Sequence, residues 1–380
     1  MKCIINGKVV LKDKVCENLA VIFDEKIQKI ADVSEINTAD YEIIDAKGQY
    51  VCPGLVDMHI HGYLGADVSD GDADGIKKMA EGIIKNGVTA WCPTTMTVSK
   101  KEIETAFDAV REVKNSGEYY GARILGVNSE GPFINPSKKG AQAEEHILRP
   151  DADFILANKD IVKLFTVAPE VDGALDAIEK VAKEGSVLVS MGHTNATFEE
   201  ANKGIEKGVK HTTHLFNAMT ALSHRNPGVV GAALSSDVSV ELIADTFHID
   251  KGLFGLIAKI KEDKLCLITD CIRAGGMVDG DYTLGGQRVH KEGIKCLMDD
   301  GTIAGSVLKL NEAVRNLYEN SDLELYEAVK CASLYPAKAL GDDREIGSLE
   351  VGKRADIIIA DEKFNILTTV LGGEIRYKGE

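Results

Sequence analysis

From residue 51 to residue 270 the chain alternates between short, nearly continuous apolar runs and longer amphipathic stretches. The apolar runs have the length of buried strands and lie at residues 51–61, 88–93, 124–130, 162–168, 187–193, 211–214, 240–244 and 265–270. Apolar positions spaced by three and four residues predict helices between them, at residues 74–86, 100–116, 173–183, 197–207 and 253–261. Continuous apolar strands joined by helices indicate a parallel sheet that is buried on both faces.

Eight such units favour a closed barrel over an open sheet. A (β/α)8 barrel occupies about 250 residues, so a chain of 380 residues has room for a second unit. Both chain ends contain short β-type runs, which are too small to bury a core alone. We therefore predict an α/β protein with a TIM-like (β/α)8 barrel at residues 51–343 and a small β-sandwich built from residues 1–50 and 344–380.

The most informative polar positions are His59 and His61, at the end of the first apolar run. Successive side chains of a strand alternate faces, so these two histidines project on the same side. A barrel places its chemistry where the strands end. Further polar residues stand at or just beyond other predicted strand ends: Glu130, His193, His214, His248 and Asp270. One histidine at a strand end is commonly a cap or a core contact, but several in the same position of successive strands indicate a site.

These residue types indicate a catalytic metal site. Imidazole and carboxylate ligands suit Zn, Fe, Mn or Co, and the absence of thiolate among the candidates argues against a purely structural zinc site. A bound ion lowers the pKa of water toward roughly 7 and polarises a substrate carbonyl. A carboxylate beside it, at Asp270, would serve first as general base and then as general acid.

Composition narrows the range of partners. The formal net charge of −16 argues against nucleic acid or an anionic membrane surface, and an anionic substrate would need a local cation. The eight cysteines form no C-x-x-C pair, so we expect reduced thiols. The first residues lack the pattern of a signal peptide, and no apolar run approaches the roughly 18 residues of a membrane helix. We expect a cytoplasmic protein.

Several motifs extend along nearly the whole chain, from Pro53-Gly54-Leu55-Val56-Asp57 to residues 347–356. The most specific of them are Glu130-Gly131-Pro132-Phe133, Ala168-Pro169-Glu170, Gly192-His193-Thr194-Asn195-Ala196, Thr213-His214-Leu215-Phe216-Asn217-Ala218-Met219, His224-Arg225-Asn226-Pro227-Gly228 and Thr269-Asp270. In this order they resemble the amidohydrolase superfamily and, within it, the N-acetylglucosamine-6-phosphate deacetylase family. The resemblance implies hydrolysis of the acetamide of that phosphosugar to glucosamine 6-phosphate and acetate.

The same resemblance implies roles for the polar residues at the strand ends. It implies that Glu130, His193 and His214 hold a divalent metal and that Asp270 is the acid and base. A pair matching His59 and His61 is present in those members that look binuclear and replaced in those that use one ion. One or two ions per subunit are therefore expected, with Glu130 as the bridge if there are two.

Substrate contacts are implied as well. Arg225 matches a phosphate-binding arginine that is commonly reached across a dimer interface, so a homodimer is expected. Gln142 stands where some members carry a histidine. The expected substrate-binding residues, in addition to Arg225, are Ala141, Gln142, Asn217, Ala218, His248, Ile303, Ala304 and Gly305.

Two alternatives remain open at this point. A cyclic amidase or a dipeptidase-type relative would share the barrel and the pair His59 and His61. It should have a bridging lysine at the end of the fourth strand, where this chain has Ala168-Pro169-Glu170. A non-catalytic metal-binding barrel would need no general base such as Asp270.

Overall fold

The computed structural model describes residues 1–118 and 120–379, in which strands and helices alternate. The described strands are β1 (Lys2–Val10), β2 (Val15–Phe23), β3 (Ile27–Asp32), β4 (Glu42–Asp45), β5 (Tyr50–Pro53), β6 (Leu55–Ile60), β7 (Gly62–Tyr63), β8 (Ala66–Asp67), β9 (Val88–Thr95), β10 (Arg123–Ile124), β11 (Val127–Glu130), β12 (Val162–Val167), β13 (Leu188–Met191), β14 (His211–Thr212), β15 (Ser239–Ile243), β16 (Leu265–Ile268), β17 (Gly280–Leu284), β18 (Gln287–Glu292), β19 (Lys295–Met298), β20 (Ile357–Ala360), β21 (Ile366–Leu371) and β22 (Glu374–Lys378). The described α-helices are α1 (Ala73–Ile83), α2 (Lys100–Asn115), α3 (Ala152–Ala157), α4 (Ala174–Glu184), α5 (Phe198–Lys207), α6 (Gly228–Ser235), α7 (Phe254–Lys261), α8 (Leu310–Glu319), α9 (Leu325–Cys331) and α10 (Leu334–Ala339).

Parallel strands form the predicted (β/α)8 barrel. Hydrogen bonds order them β6, β9, β11, β12, β13, β14, β15 and β16. The ring closes between its first and last strands, where the amide of Asp270 donates to the carbonyl of His59 over 2.9 Å and the amide of His61 to that of Cys271 over 2.9 Å. Each predicted barrel run contains one of these strands, and the predicted fold class is confirmed. Continuous apolar runs occur because both faces of these strands are buried, as in β9.

The first apolar run differs from the prediction, because residues 51–61 form two strands rather than one. β5 belongs to the sheet of the chain ends and β6 opens the barrel, with Gly54 between them. A Cβ atom at Gly54 would lie 2.1 Å from Oγ1 of Thr89 on β9, so the backbone passes too close to β9 for any side chain. Hydrophobicity does not reveal this break, since both halves are buried.

Strands from both chain ends pair in one mixed sheet, ordered β22-β21-β20-β5-β1-β2-β3 with β4 also paired to β1. The ends meet where β5 and β20 run antiparallel, with Cys52 opposite Ile358. The sheet has an apolar cluster of its own that includes Phe23, Val51 and Ile357. It corresponds to the expected small β unit. Its boundaries at residues 50 and 344 stay a prediction, and Glu380 lies outside the described residues.

A small antiparallel sheet, β17-β18-β19, follows the last barrel strand and was not predicted. Most residues of β17 and β18 are polar or charged, and these two strands have few buried positions. The turn between β17 and β18 reaches the mouth of the barrel, where Nε2 of Gln287 donates to the carbonyl of Ala141 over 2.8 Å. Among the described residues, no helix is both long and apolar enough to cross a membrane.

Candidate active site

The predicted site residues meet at the C-terminal ends of the barrel strands. His59 lies in β6, and Glu130 is the last residue of β11. His193, His214 and Asp270 each lie two residues beyond the end of a strand, after β13, β14 and β16. These three share a left-handed backbone, with φ of 46°, 27° and 50°. Such a conformation costs a non-glycine residue roughly 1–2 kcal/mol, and residues strained in this way cluster at functional sites.

Glu130 is the centre of the group, because its carboxylate contacts four imidazoles. Oε1 lies 2.9 Å from Nε2 of His214, 3.2 Å from Nε2 of His193 and 3.4 Å from Nε2 of His59. Oε2 lies 3.1 Å from Nε2 of His61. The Glu130 side chain is buried. Oε1 therefore faces His193, His214 and His59, whereas Oε2 faces His61.

Asp270 stands beside the first histidine pair. Its Oδ1 lies 3.2 Å from Nε2 of His61 and 3.5 Å from Nε2 of His59. The side chain of Asp270 is 12% exposed, whereas that of Glu130 is 2% exposed. Potential ligand atoms lie within 4.8 Å of one another in each of two groups of described residues: His59, His61 and Asp270, and Glu130, His193 and His214.

Burial and neighbouring charges shift the pKa values of His59, Glu130 and Asp270 in opposite directions. Burial disfavours the protonated form of His59, but the carboxylates of Glu241 and Glu130 outweigh it and raise the pKa of this imidazole to about 9. Burial disfavours ionised Glu130, but His193 and His59 hold the pKa of this carboxyl well below its usual range. Burial also disfavours ionised Asp270, and His61 and His59 nevertheless lower its pKa. The carboxylates therefore stay ionised. Protonated imidazoles balance this negative charge, and a metal cation would take over that role when the imidazoles are neutral.

The arrangement fits a divalent metal ion. Imidazole nitrogens face each other at 3.0 Å between His193 and His214, and at 3.2 Å between His59 and His61. Neutral imidazoles place lone pairs at such positions, and a cation between them resolves their repulsion. The donors are nitrogen and oxygen without thiolate, which suits Zn, Fe, Mn or Co in a catalytic site.

A cleft of about 420 Å³ opens over these residues. It is lined by most of the predicted substrate-binding residues, namely Ala141, Gln142, Asn217, Ala218, His248, Ile303 and Gly305. Ala304 is fully buried and is not among the lining residues. Arg225 lies on an exposed loop outside the lining. Lys138 is the one lysine or arginine among the described lining residues.

Comparison with known proteins agrees with this geometry. The sequence pattern of the amidohydrolase family matches residues 50–376. The chain belongs to the amidohydrolase family. It is 36% identical, over 97% of its own length and 95% of the other, to the N-acetylglucosamine-6-phosphate deacetylase of Bacillus subtilis (strain 168).

Two further relatives of this amidohydrolase are informative. The N-acetylgalactosamine-6-phosphate deacetylase of Escherichia coli O157:H7 is 34% identical, with 93% of this chain and 95% of the other covered. The crystal structure of the N-acetylglucosamine-6-phosphate deacetylase from Pasteurella multocida superposes with a TM-score of 0.94 at 32% identity and covers both chains completely. Similarity of this extent includes the barrel and the sheet of the chain ends.

The amidohydrolase site also depends on residues that the sequence analysis did not single out. Glu241 on β15 is fully buried, and its Oε2 accepts hydrogen bonds from Nδ1 of His59 and from the amide of His214, each over 2.9 Å. The carbonyl of Lys138 accepts from Nδ1 of His193 over 2.9 Å. One signal for Glu241 was available, because a charged residue inside an apolar barrel strand requires a buried partner.

Asp57 is a second residue of this kind. Its Oδ2 accepts from Oγ1 of Thr269 over 2.7 Å, and its Oδ1 accepts from the amides of His59 and Thr269 over 3.3 Å. Burial raises the pKa of Asp57 to about 7, against the effect of these hydrogen bonds. Asp57 therefore links the end of β6, which carries His59, to the segment that carries Asp270.

Gln142 lies deeper than a substrate-binding residue alone would require. The side chain is buried, and its Nε2 donates to Oε2 of Glu130 over 2.6 Å. Its Oε1 accepts from the amide of Thr97 over 2.6 Å. The amide of Thr97 needs an acceptor, so the NH₂ group of Gln142 must face Glu130. Gln142 thus contacts both the cleft and the central carboxylate.

Proposed function

We propose that this amidohydrolase hydrolyses the acetamide of N-acetylglucosamine 6-phosphate, giving glucosamine 6-phosphate and acetate. The observation that carries the proposal is the contact of Glu130 with four imidazoles beside Asp270, on the floor of a cleft. Relatives with this activity in their names match nearly the full chain. The dipeptidase-type alternative has less support, because Glu170 at the end of the fourth barrel strand binds Thr194 and Asn195 instead of bridging ions.

In this proposal Glu130, His193 and His214 would hold a divalent ion, and His59, His61 and Asp270 would hold a second where two are bound. Glu130, whose carboxylate contacts histidines of both groups, would contribute to both sites. When bound, such ions lower the pKa of water and polarise an amide carbonyl. The identity of the metal depends on supply as well as on these ligands, because Zn, Fe, Mn and Co all accept them.

Asp270 is the proposed proton carrier. Its carboxylate is ionised and partly open to the cleft, so it accepts a proton from the attacking water. It then delivers that proton to the amide nitrogen as the carbon–nitrogen bond breaks. The oxygen of water ends on the acetyl carbon, and the products are acetate and the free amine. General acid and base catalysis of this kind contributes roughly 10²–10⁴-fold to the rate.

The proposed phosphate contact is Arg225, and His248 is a proposed substrate contact. His248 lines the cleft, and its Nδ1 is fixed by Oδ2 of Asp245 over 2.7 Å. Arg225 is exposed and outside the cleft of its own subunit, so we propose that it enters the cleft of a second subunit in a homodimer. A guanidinium suits this role, because it binds phosphate through two parallel hydrogen bonds. Asn217 and Ala218 complete the proposed sugar site.

The same proposal places the protein in the cytoplasm, in line with its eight free cysteines among the described residues. It treats residues 51–343 as the catalytic unit, with residues 1–50 and 344–380 as the supporting unit.

The deciding experiment is acetate release by metal-loaded protein. N-acetylglucosamine 6-phosphate, N-acetylgalactosamine 6-phosphate and unphosphorylated N-acetylglucosamine are compared, with metal content determined on the same sample. We expect turnover of the first sugar and little of the third. Preference for the galactosamine compound would move the substrate to that epimer, and inactivity on all three with metal bound would refute the proposed function.

A further inference from the structure

Glu241 holds one ligand from each candidate metal group. Its Oε2 accepts from the ring of His59 and from the backbone amide of His214, and its Oε1 lies 3.1 Å from Nε2 of His211. Glu241 and His211 are both fully buried. A carboxylate in the interior of a barrel is costly unless it is paired and hydrogen-bonded. The hydrogen bonds from His59, His211 and the amide of His214 offset the cost of burying Glu241.

The positions of the protons follow from the hydrogen bonds. An ionised carboxylate only accepts, so Nδ1 of His59 and Nε2 of His211 both donate to Glu241. Nδ1 of His211 lies 2.6 Å from Oγ of Ser239, which also lies 3.2 Å from the carbonyl of Lys210. In the neutral ring, donation from Nδ1 leaves the lone pair of His59 on Nε2, the atom that faces Glu130 and Asp270. The Glu241 contact therefore selects the tautomer of His59 that is able to bind a metal.

The four histidines of the candidate site differ in this respect. Nδ1 of His193 donates to a neutral backbone carbonyl, that of Lys138. Nδ1 of His61 and Nδ1 of His214 are buried and have no hydrogen-bond partner among the described residues. Among the four histidines of the described site, His59 is thus the one whose Nδ1 donates a hydrogen bond to a carboxylate. It belongs to the group with His61 and Asp270.

We propose that Glu241 and His211 form a positioning pair that holds His59 as a metal ligand and thereby sustains the second ion site at His59, His61 and Asp270. The inference rests on the metal chemistry of the proposed function, but not on the identity of the substrate. Glu241 touches neither the cleft nor the reacting groups, so it is a positioning residue and not a catalytic one.

The test is metal binding by the full-length protein, stripped of metal and titrated with Zn²⁺. Wild type should bind two ions. Glu241→Gln keeps a neutral acceptor for His59 and the amide of His214 but removes the charge. We expect about 10–100-fold weaker binding of the second ion, as for loss of other outer-shell partners, and unchanged binding of the first. His211→Gln retains a donor for Glu241 and should bind two ions like wild type, whereas His211→Leu should resemble Glu241→Gln.

Glu170→Gln is the matched control, because Glu170 also follows a barrel strand but contacts Asn135, Thr194 and Asn195 rather than a ligand ring. It should bind two ions normally. Two ions bound with wild-type affinity by folded Glu241→Gln, equal weakening of both ions, or a single ion in wild type would each overturn the inference. If Glu241→Gln fails to fold, the two His211 variants decide the question. Inactivity on all three sugars would refute the proposed function but leave this binding pattern intact.

Discussion

Gln142 donates from Nε2 to Oε2 of Glu130 over 2.6 Å while its Oε1 accepts from the amide of Thr97 over 2.6 Å. The position of the Glu130 carboxylate is therefore coupled to the loop after β9. Because Gln142 also lines the cleft, a substrate bound there lies next to the residue that orients the central ligand.

Gln142→Met keeps the size of the side chain but removes both hydrogen bonds. We expect metal affinity to fall by about 10–100-fold, because ligating carboxylates depend on their outer-shell partners. The free energy of unfolding of the metal-free protein should fall by about 1–3 kcal/mol, since the amide of Thr97 is left without an acceptor. Competition with a chelator measures the first quantity and urea unfolding the second. Gln287→Met is the control, because Gln287 contacts the loop that carries Gln142 through the carbonyl of Ala141. Equal effects of the two variants would contradict a direct role of Gln142.

Asp270→Asn should lower kcat by roughly 10²–10⁴-fold, because the amide neither accepts nor returns the proton. The ion held by Glu130, His193 and His214 should be retained. Acetate release and metal content on one sample check both expectations. Asp279→Asn, which alters a carboxylate paired with Lys291 on the β17–β19 sheet, should leave turnover unchanged. Normal turnover in Asp270→Asn would refute the proposed acid and base.

Arg225→Met should reduce kcat/KM for the phosphorylated sugar by about 10–100-fold, the loss expected for a hydrogen bond to a charged group. The proposed position across a dimer interface is tested by mixing subunits. A dimer of one Arg225→Met subunit and one Asp270→Asn subunit has one cleft with both residues intact. The mixture should therefore show more activity than either parent does alone. Failure to recover it, with hybrid dimers demonstrated by differential tags, would place Arg225 elsewhere.

Lys261 gives a pH-dependent prediction away from the site. Its Nζ donates to the carbonyls of Ala233 and Ser236 over 2.8 and 2.9 Å at the end of α6, and burial lowers its pKa from 10.5 to about 8. Between these values the unfolded chain binds more protons, so the stability of wild type rises as pH increases from 8 to 10.5. We expect a gain of about 1–2 kcal/mol relative to Lys261→Met, after allowance for solvent screening.

The measurement for Lys261 is urea unfolding at several pH values, followed by the fluorescence of Trp91, which is fully buried and is the single tryptophan of the sequence. Lys259→Met on the exposed side of the same helix is the control. Taking the difference between wild type and variant removes groups that titrate equally in both. A difference that does not change with pH would contradict the prediction.

The barrel was predictable because its strands are buried on both faces and therefore appear as uninterrupted apolar runs. The meeting of His59, His61, Glu130, His193, His214 and Asp270 was predictable because a barrel brings strand ends together. The break at Gly54 was not, since it results from a close approach to Thr89. The left-handed backbone at His193, His214 and Asp270 was not predictable either, because positive φ is uncommon for every non-glycine residue, including histidine and aspartate, which adopt it more often than most.

The contacts between the proposed metal ligands and the residues that surround them were the hardest to predict. Glu241 on β15 meets His59 on β6, the strand on the other side of β16, and Gln142 meets Glu130 from a loop, so no local spacing links the partners. The sheet β17-β18-β19 was missed because its mostly polar strands lack the periodicity of a buried element. The resemblance to deacetylases supplied the substrate residues, of which Arg225 lies outside the cleft of its own subunit.

The pairing of β5 with β20 has a consequence for folding during synthesis, because the two strands lie far apart in the chain. β5 is made early, but the strand that covers its edge comes after the whole barrel. While the ribosome adds the intervening residues, β5 presents unpaired backbone groups, which are a template for contact with other chains. A nascent chain that stalls before Ile357 has a complete set of barrel strands and an open edge beside them. The edge of β5 is therefore covered only after the final strands have been synthesised, whereas every residue of the candidate metal site has been synthesised before them.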